Sequence, residues 1–96
     1  MHAVVRTYSG AGAKQLFDLL VKRKADVEST MRTVPGLVSY TLVQSGEGGC
    51  SVTVCQDKAG TDASMKIASE WIKKNATGIS SGPPTVSEGP VLVQIK

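Results

Sequence analysis

Residues Val34–Gln44 read VPGLVSYTLVQ. Pro35 disfavours helical geometry in Val34, and the run after Gly36 is aliphatic, β-branched and aromatic, as a strand favours. Alternate side chains of a strand leave opposite faces. Leu37, Ser39, Thr41 and Val43 make one set; Val38, Tyr40, Leu42 and Gln44 make the other. Both sets are largely apolar, so neither face reads as made for water. In a chain of 96 residues, something must cover two faces of this strand.

Upstream, residues 2–8 (HAVVRTY) predict a first strand, closed by a Ser-Gly-Ala-Gly break. From Gly12 to Arg32 the period changes. Ala13, Leu16, Leu20, Val27 and Met31, with Phe17 beside them, predict one amphipathic helix, about 30 Å long. Downstream, Ser45–Gly49 (SGEGG) is a hairpin connection whose glycines supply positive φ. A phosphate-cradling loop would need a Lys-Ser/Thr pair and a helix after it, and here a strand follows. That third strand is Cys50–Gln56. A second helix follows, capped at Thr61 or Asp62. Met65, Ala68, Ile72 and Ala76 form its central face, widened by Ile67 and Trp71, and it ends within Asn75–Gly78. After the loop GISSGPP, the closing strand is VSEGPVLVQIK, with an edge or bulge at Pro90.

The order strand, helix, strand, strand, helix, strand is that of an α+β, ferredoxin-like βαββαβ sandwich: two helices on one face of a four-stranded antiparallel sheet. Residues 1–96 make a single domain on this reading. Two helices cover one face, and a solvated second face would read polar. Instead Val4, Val5, Val38, Val43, Val52, Val54 and the Val91–Ile95 segment occupy both phases. The second face is therefore expected to pack on another copy, forming a homodimer. A chain this short buries only about 60–65% of its unfolded surface, which also favours a partner.

Composition narrows the classes further. The net charge of +3 comes from 11 basic and 8 acidic residues spread along the chain. The basic residues form no stripe interleaved with aromatics, so nucleic acid is not an expected partner. No segment approaches the roughly 18–20 apolar residues of a membrane span, and MHAVVRTYSG does not read as a secretory signal. The expected setting is cytoplasmic. Cys50 and Cys55 lie on one strand, about 16 Å apart and on opposite faces. They cannot bridge each other or share a metal, so free thiols, no metal and no cofactor are expected.

The helix ending in VPG and the strand LVSYTLVQ, within a βαββαβ order that spans the chain, resemble the dimeric α/β-barrel superfamily. More narrowly, they resemble its antibiotic-biosynthesis-monooxygenase-like group. The resemblance implies sheets packed face to face, helices outside, and a cavity in each subunit between sheet and helices. Some members oxygenate aromatic substrates without metal or flavin, some degrade haem, and many have no assigned reaction. The cofactor-free oxygenases carry an Asn one helical turn before a Trp, with a Tyr further on. Trp71 matches the Trp, but Ala68 and Ile67 precede it and Thr77 stands six residues after it. Haem degraders need an axial His on a helix, and the single histidine is His2, on the first strand.

Four residues are the candidates for a ligand site. Tyr40 and Trp71 would stack on an aromatic or hydrophobic ligand in the cavity, and Arg6 or Lys24 would place a cation near its opening. The structural alternatives are core packing for Tyr40 and Trp71, and a solvated or ion-paired Lys24. No catalytic residue is identified: no Ser-His-Asp, Cys-His or paired-carboxylate set can be assembled around His2. The sequence thus points to a small homodimeric ligand-binding domain. Its alternative is a cofactor-independent monooxygenase acting on an aromatic compound.

Overall fold

The computed structural model describes residues 1–79 and 82–95. Residues 80 and 81, inside the expected loop, and Lys96, at the end of the expected closing strand, lie outside that set. The elements in chain order are β1 (His2–Tyr8), α1 (Ala13–Lys22), α2 (Lys24–Met31), β2 (Leu37–Ser45), β3 (Gly48–Cys55), α3 (Lys58–Asn75) and β4 (Thr85–Pro90). The sheet order is β2-β3-β1-β4, every neighbouring pair antiparallel. This is the ferredoxin-like arrangement expected.

The expected single helix over Gly12–Arg32 is two helices. Arg23, at φ −108° and ψ 24°, ends α1 and begins α2. The break separates two packing tasks. Leu16, Phe17 and Leu20 of α1 are buried toward the sheet, and α2 turns to pack against α3. Phe17 meets Tyr8 edge-to-face, with ring centroids 5.9 Å apart. A side chain of this size contributes about 1.5–3 kcal/mol on full burial.

Two groups of glycines do different work from the one the sequence suggested. In the hairpin only Gly46 takes positive φ, at 58°, within the two residues that separate β2 from β3. Gly49 instead makes room: a Cβ there would stand 2.5 Å from the Phe17 ring and 2.1 Å from the Val43 carbonyl oxygen. Gly60 plays the same part on α3, where a Cβ would lie 2.7 Å from Cys55 Cβ.

α3 starts earlier than the expected cap at Thr61 or Asp62. The Asp57 carboxylate accepts the Gly60 N–H at 3.0 Å and caps the helix, while Thr61 is buried inside it. The buried face follows Gly60, Thr61, Ser64, Ala68 and Trp71, so it is rotated from the expected Met65–Ala68–Ile72 line toward the tryptophan.

The strand alternation is resolved by a bulge. The β2–β3 register shifts between Leu37 and Ser39, so Leu37 pairs with Cys55 and Tyr40 with Thr53. Cys55 and Thr53 both point to the helices, and the extra residue places Leu37 on the same side as Tyr40 and Leu42. The opposite face carries Ser39, Thr41 and Val43, and across the sheet Val52, Val54, Val5 and Ala3. Cys50 belongs to that outer face and Cys55 to the helix face, as alternation implies.

The closing strand is shorter than expected. Pairing with β1 ends at Pro90, with one further bond from the Val91 N–H to the Met1 carbonyl. Beyond it no strand of the described residues lies opposite, and Leu92, Val93 and Ile95 stand 89%, 79% and 91% exposed. No helix among the described residues is long and apolar enough to cross a membrane.

Candidate functional site

The helix-facing phase of β1 carries Val4, Arg6 and Tyr8, and the same phase of β3 and β2 carries Ser51, Tyr40 and Leu42. Against them stand Leu20 of α1, Val27 and Met31 of α2, and Ala68 and Trp71 of α3. These surfaces do not close completely. They leave an inner cavity of about 30 Å³ bordered by Arg6, Tyr8, Tyr40, Ser51 and Trp71 among others. Beside it, between α2 and β2, runs a cleft of about 420 Å³ that reaches Lys24 and Arg32 at its rim. Val27, Met31, Tyr40 and Leu42 border both spaces. They form the partition between them.

The inner cavity is mostly apolar, with one exception. Arg6 is only 4% exposed. Its Nε donates to Ser51 Oγ at 3.1 Å, and among the described residues no other hydrogen bond or carboxylate partner meets it. A guanidinium has five N–H donors and keeps its charge at physiological pH, so a buried one without a counter-charge costs several kcal/mol. The hydroxyls of Tyr8 and Tyr40 also make no hydrogen bond among the described residues. Burial pushes both phenols above the ordinary tyrosine range, and the nearby Arg6 charge opposes that push.

Trp71 sits differently from a free stacking platform. It is 9% exposed, its indole N–H donates to Asp26 Oδ2 at 2.9 Å, and Arg23 lies 5.9 Å from the ring centroid. Arg23 in turn pairs with the same Asp26 oxygen at 2.9 Å. One edge of the ring thus borders the cavity while its polar end fastens α3 to α2. Lys24 lines the outer cleft and not the inner cavity. Lys24 makes no ion pair among the described residues: Glu28 pairs with Arg32, and Asp57 caps α3.

Of the four sequence candidates, Arg6, Tyr40 and Trp71 come together at the inner cavity, and Lys24 is brought to the adjoining cleft. Tyr8, Ser51 and Met31 were missed. Tyr8 was legible, because it shares the β1 phase with Arg6; Ser51 and Met31 had no signal beyond their places in a strand and a helix. His2 lies elsewhere, with Nδ1 2.9 Å from Thr61 Oγ1 and Nε2 3.8 Å from Glu88. The carboxylate beside it, invisible in sequence, is supplied by β4. Among the described residues no three potential metal ligands cluster.

No protein-family model matches the chain, and no curated protein matches it. Solved structures do. One is NE2512 of Nitrosomonas europaea, a protein of unknown function, at 19% identity and TM-score 0.72, over 99% of this chain and 91% of that one. Another is the ActVA-Orf6 monooxygenase of Streptomyces coelicolor in complex with nanaomycin D, at 20% identity and TM-score 0.63, over 99% and 89%. A third is a dimeric ferredoxin-like protein from an uncultured marine organism, at 14% identity and TM-score 0.62, over 99% and 95%. At such identities the likeness is one of fold. The chain has the ferredoxin-like fold that antibiotic-biosynthesis-monooxygenase-like and dimeric ferredoxin-like proteins share, as the resemblance in its sequence implied.

Proposed function

We propose that this chain is a small homodimeric domain that binds a hydrophobic or aromatic ligand between its sheet and its helices. The observation that carries the reading is the cleft of about 420 Å³ adjoining the Arg6–Tyr8–Tyr40 cavity. Its size falls within the range of ligand pockets, and its walls are apolar with a few convergent polar groups, as such pockets require. The ligand body lies in the cleft against Leu37, Tyr40 and Leu42, with Lys24 at the rim. Met31 separates the two spaces, and its flexible thioether can swing to join them. Trp71 contributes wall area and Arg6 the cation.

The homodimer forms through the outer sheet face. Val5 and Val52 are register partners at the centre of that face, and exposed Leu92, Val93 and Ile95 supply further apolar surface for a partner to cover. Large apolar side chains left open to water are the kind of surface that an interface covers.

A second reading is a cofactor-independent monooxygenase acting on an aromatic compound, favoured by the fold likeness to a monooxygenase crystallised with nanaomycin D. Binding without turnover is preferred because the site offers no convincing base. Both tyrosines hold their protons more firmly than usual, Glu28 is tied to Arg32, and His2 is remote. A general base must reach the proton it abstracts.

The test is calorimetric titration with neutral naphthol and anthrone-type compounds, alongside oxygen-electrode assays of the same panel. Micromolar to millimolar binding that Leu42→Trp abolishes by filling the cleft, without oxygen uptake, is the expected result. Robust uptake lost in Tyr40→Phe would replace this reading with the oxygenase.

A further inference from the structure

The inner cavity is mostly apolar, and the polar side chains that border it are a guanidinium and hydroxyls, with no carboxylate. Arg6 uses Nε on Ser51, which leaves both terminal amino groups without a protein acceptor among the described residues. Those nitrogens are not sealed in protein: among the described residues, the fully enclosed side-chain polar atom without a partner is Thr53 Oγ1, not any atom of Arg6. Arg6 is one of the residues that line the cavity. The phenol groups of Tyr8 and Tyr40 border the same space, each close enough to feel the guanidinium charge. The side chains that carry two unused amino groups and two unused hydroxyls therefore border one void, and no carboxylate of the described residues balances the charge.

We propose that Arg6 is an anion-binding group, and that the inner cavity takes the carboxylate head of an aromatic or branched hydrophobic monocarboxylic acid. The apolar body of that acid then passes the Met31–Tyr40 partition into the cleft. This rests on the reading that cavity and cleft together form a ligand site. Three features select a carboxylate over other anions. A guanidinium matches it in a planar, two-bond geometry. A void of about 30 Å³ suits a small flat head better than a tetrahedral phosphate. Apart from Thr30, the remaining walls, among them Leu20, Val27, Leu42 and Ala68, are apolar, and none carries a charge to hold a second negative one. At the rim, Glu28 is paired with Arg32 at 2.6 Å, and Lys24 has no ion pair among the described residues. An arriving anion thus meets a net positive entrance.

The test compares 2-naphthoate with its neutral isostere 2-naphthamide by calorimetry and thermal unfolding. Naphthoate is expected to bind about tenfold tighter or better, the effect of charge-assisted hydrogen bonds. The preference should fade as pH falls through the ionisation of the naphthoic acid itself. In Arg6→Met the preference should vanish. The unliganded variant should melt at a higher temperature than the parent, because an unpaired buried charge is gone. Arg6→Met that melts lower, or that still prefers naphthoate, overturns the assignment. Equal binding of naphthoate and naphthamide overturns it while leaving the ligand site intact. Binding of neither compound, nor of the neutral panel, removes the site and the anion assignment together.

Discussion

Trp71 is fastened to Asp26: the indole N–H reaches Oδ2 at 2.9 Å across the α2–α3 contact, and Arg23 closes on the same oxygen. The single tryptophan is therefore a helix–helix clasp first and a cavity wall second. Asp26→Ala leaves a nearly buried N–H without its acceptor, for a loss of about 1–2 kcal/mol. The figure lies toward the low end because Asp26 is 44% exposed by its side chain and water can partly replace it. The exposed Arg23 pair adds little. Asp26→Asn keeps an acceptor and should lose clearly less. Urea unfolding followed by Trp71 fluorescence separates the two; equal losses would mean that charge, not the hydrogen bond, holds the clasp.

Gly60→Ala sets two effects against each other. Alanine gains up to about 1 kcal/mol in helix propensity. Against that, the new Cβ would stand 2.7 Å from both Cys55 Cβ and the Pro35 carbonyl oxygen, neither of which is the free end of a flexible side chain. Overpacking of this kind costs about 1–3 kcal/mol. The expected net result is a less stable protein, read as a lower urea midpoint with an unchanged slope. A neutral or stabilised variant would show that α3 can lift off β3 without cost.

The fold was legible because its signals are periodic. The βαββαβ order and the strand positions follow from alternation and from the apolar spacing of residues 13–31. What escaped was set by single contacts. No glycine or proline marks the break at Arg23; it arises because α1 and α2 pack on different neighbours. The bulge at Val38 shifts parity by one, so the two apolar phases of the opening stretch were partly one phase. The extent of β4 depended on where β1 stops providing bonds. At the site, Arg6, Tyr40 and Trp71 could be named from phase and residue type. That Arg6 lacks a counter-charge, and that Trp71 is tied to Asp26, are facts of long-range geometry with no local signature.

The outer sheet face gives a prediction on assembly. Val5 and Val52 sit opposite each other at its centre, and an aspartate there would place a charge inside an apolar interface. The parent protein is expected to scatter light at micromolar concentration with the mass of two chains, and Val52→Asp with that of one. A parent that runs as a single chain would mean that the two-phase strand pattern serves packing within the monomer only.

The two tyrosines of the chain, Tyr8 and Tyr40, give a pH dependence with a definite sign. Burial raises both above the ordinary value of 10.0, with Arg6 opposing. Near pH 10 the unfolded chain gives up its phenolic protons while the folded chain keeps them. The unfolded state then binds fewer protons, so stability falls as pH rises. The contribution is full below pH 10 and is lost as pH climbs toward the folded-state values. Phenolate absorbance should therefore appear later in the folded protein than in the unfolded chain. Arg6→Met should delay it further, because the opposing charge is removed. A spectrophotometric titration of parent and variant checks both signs, and phenolate absorbance that appears earlier in Arg6→Met would show that the guanidinium does not face these rings.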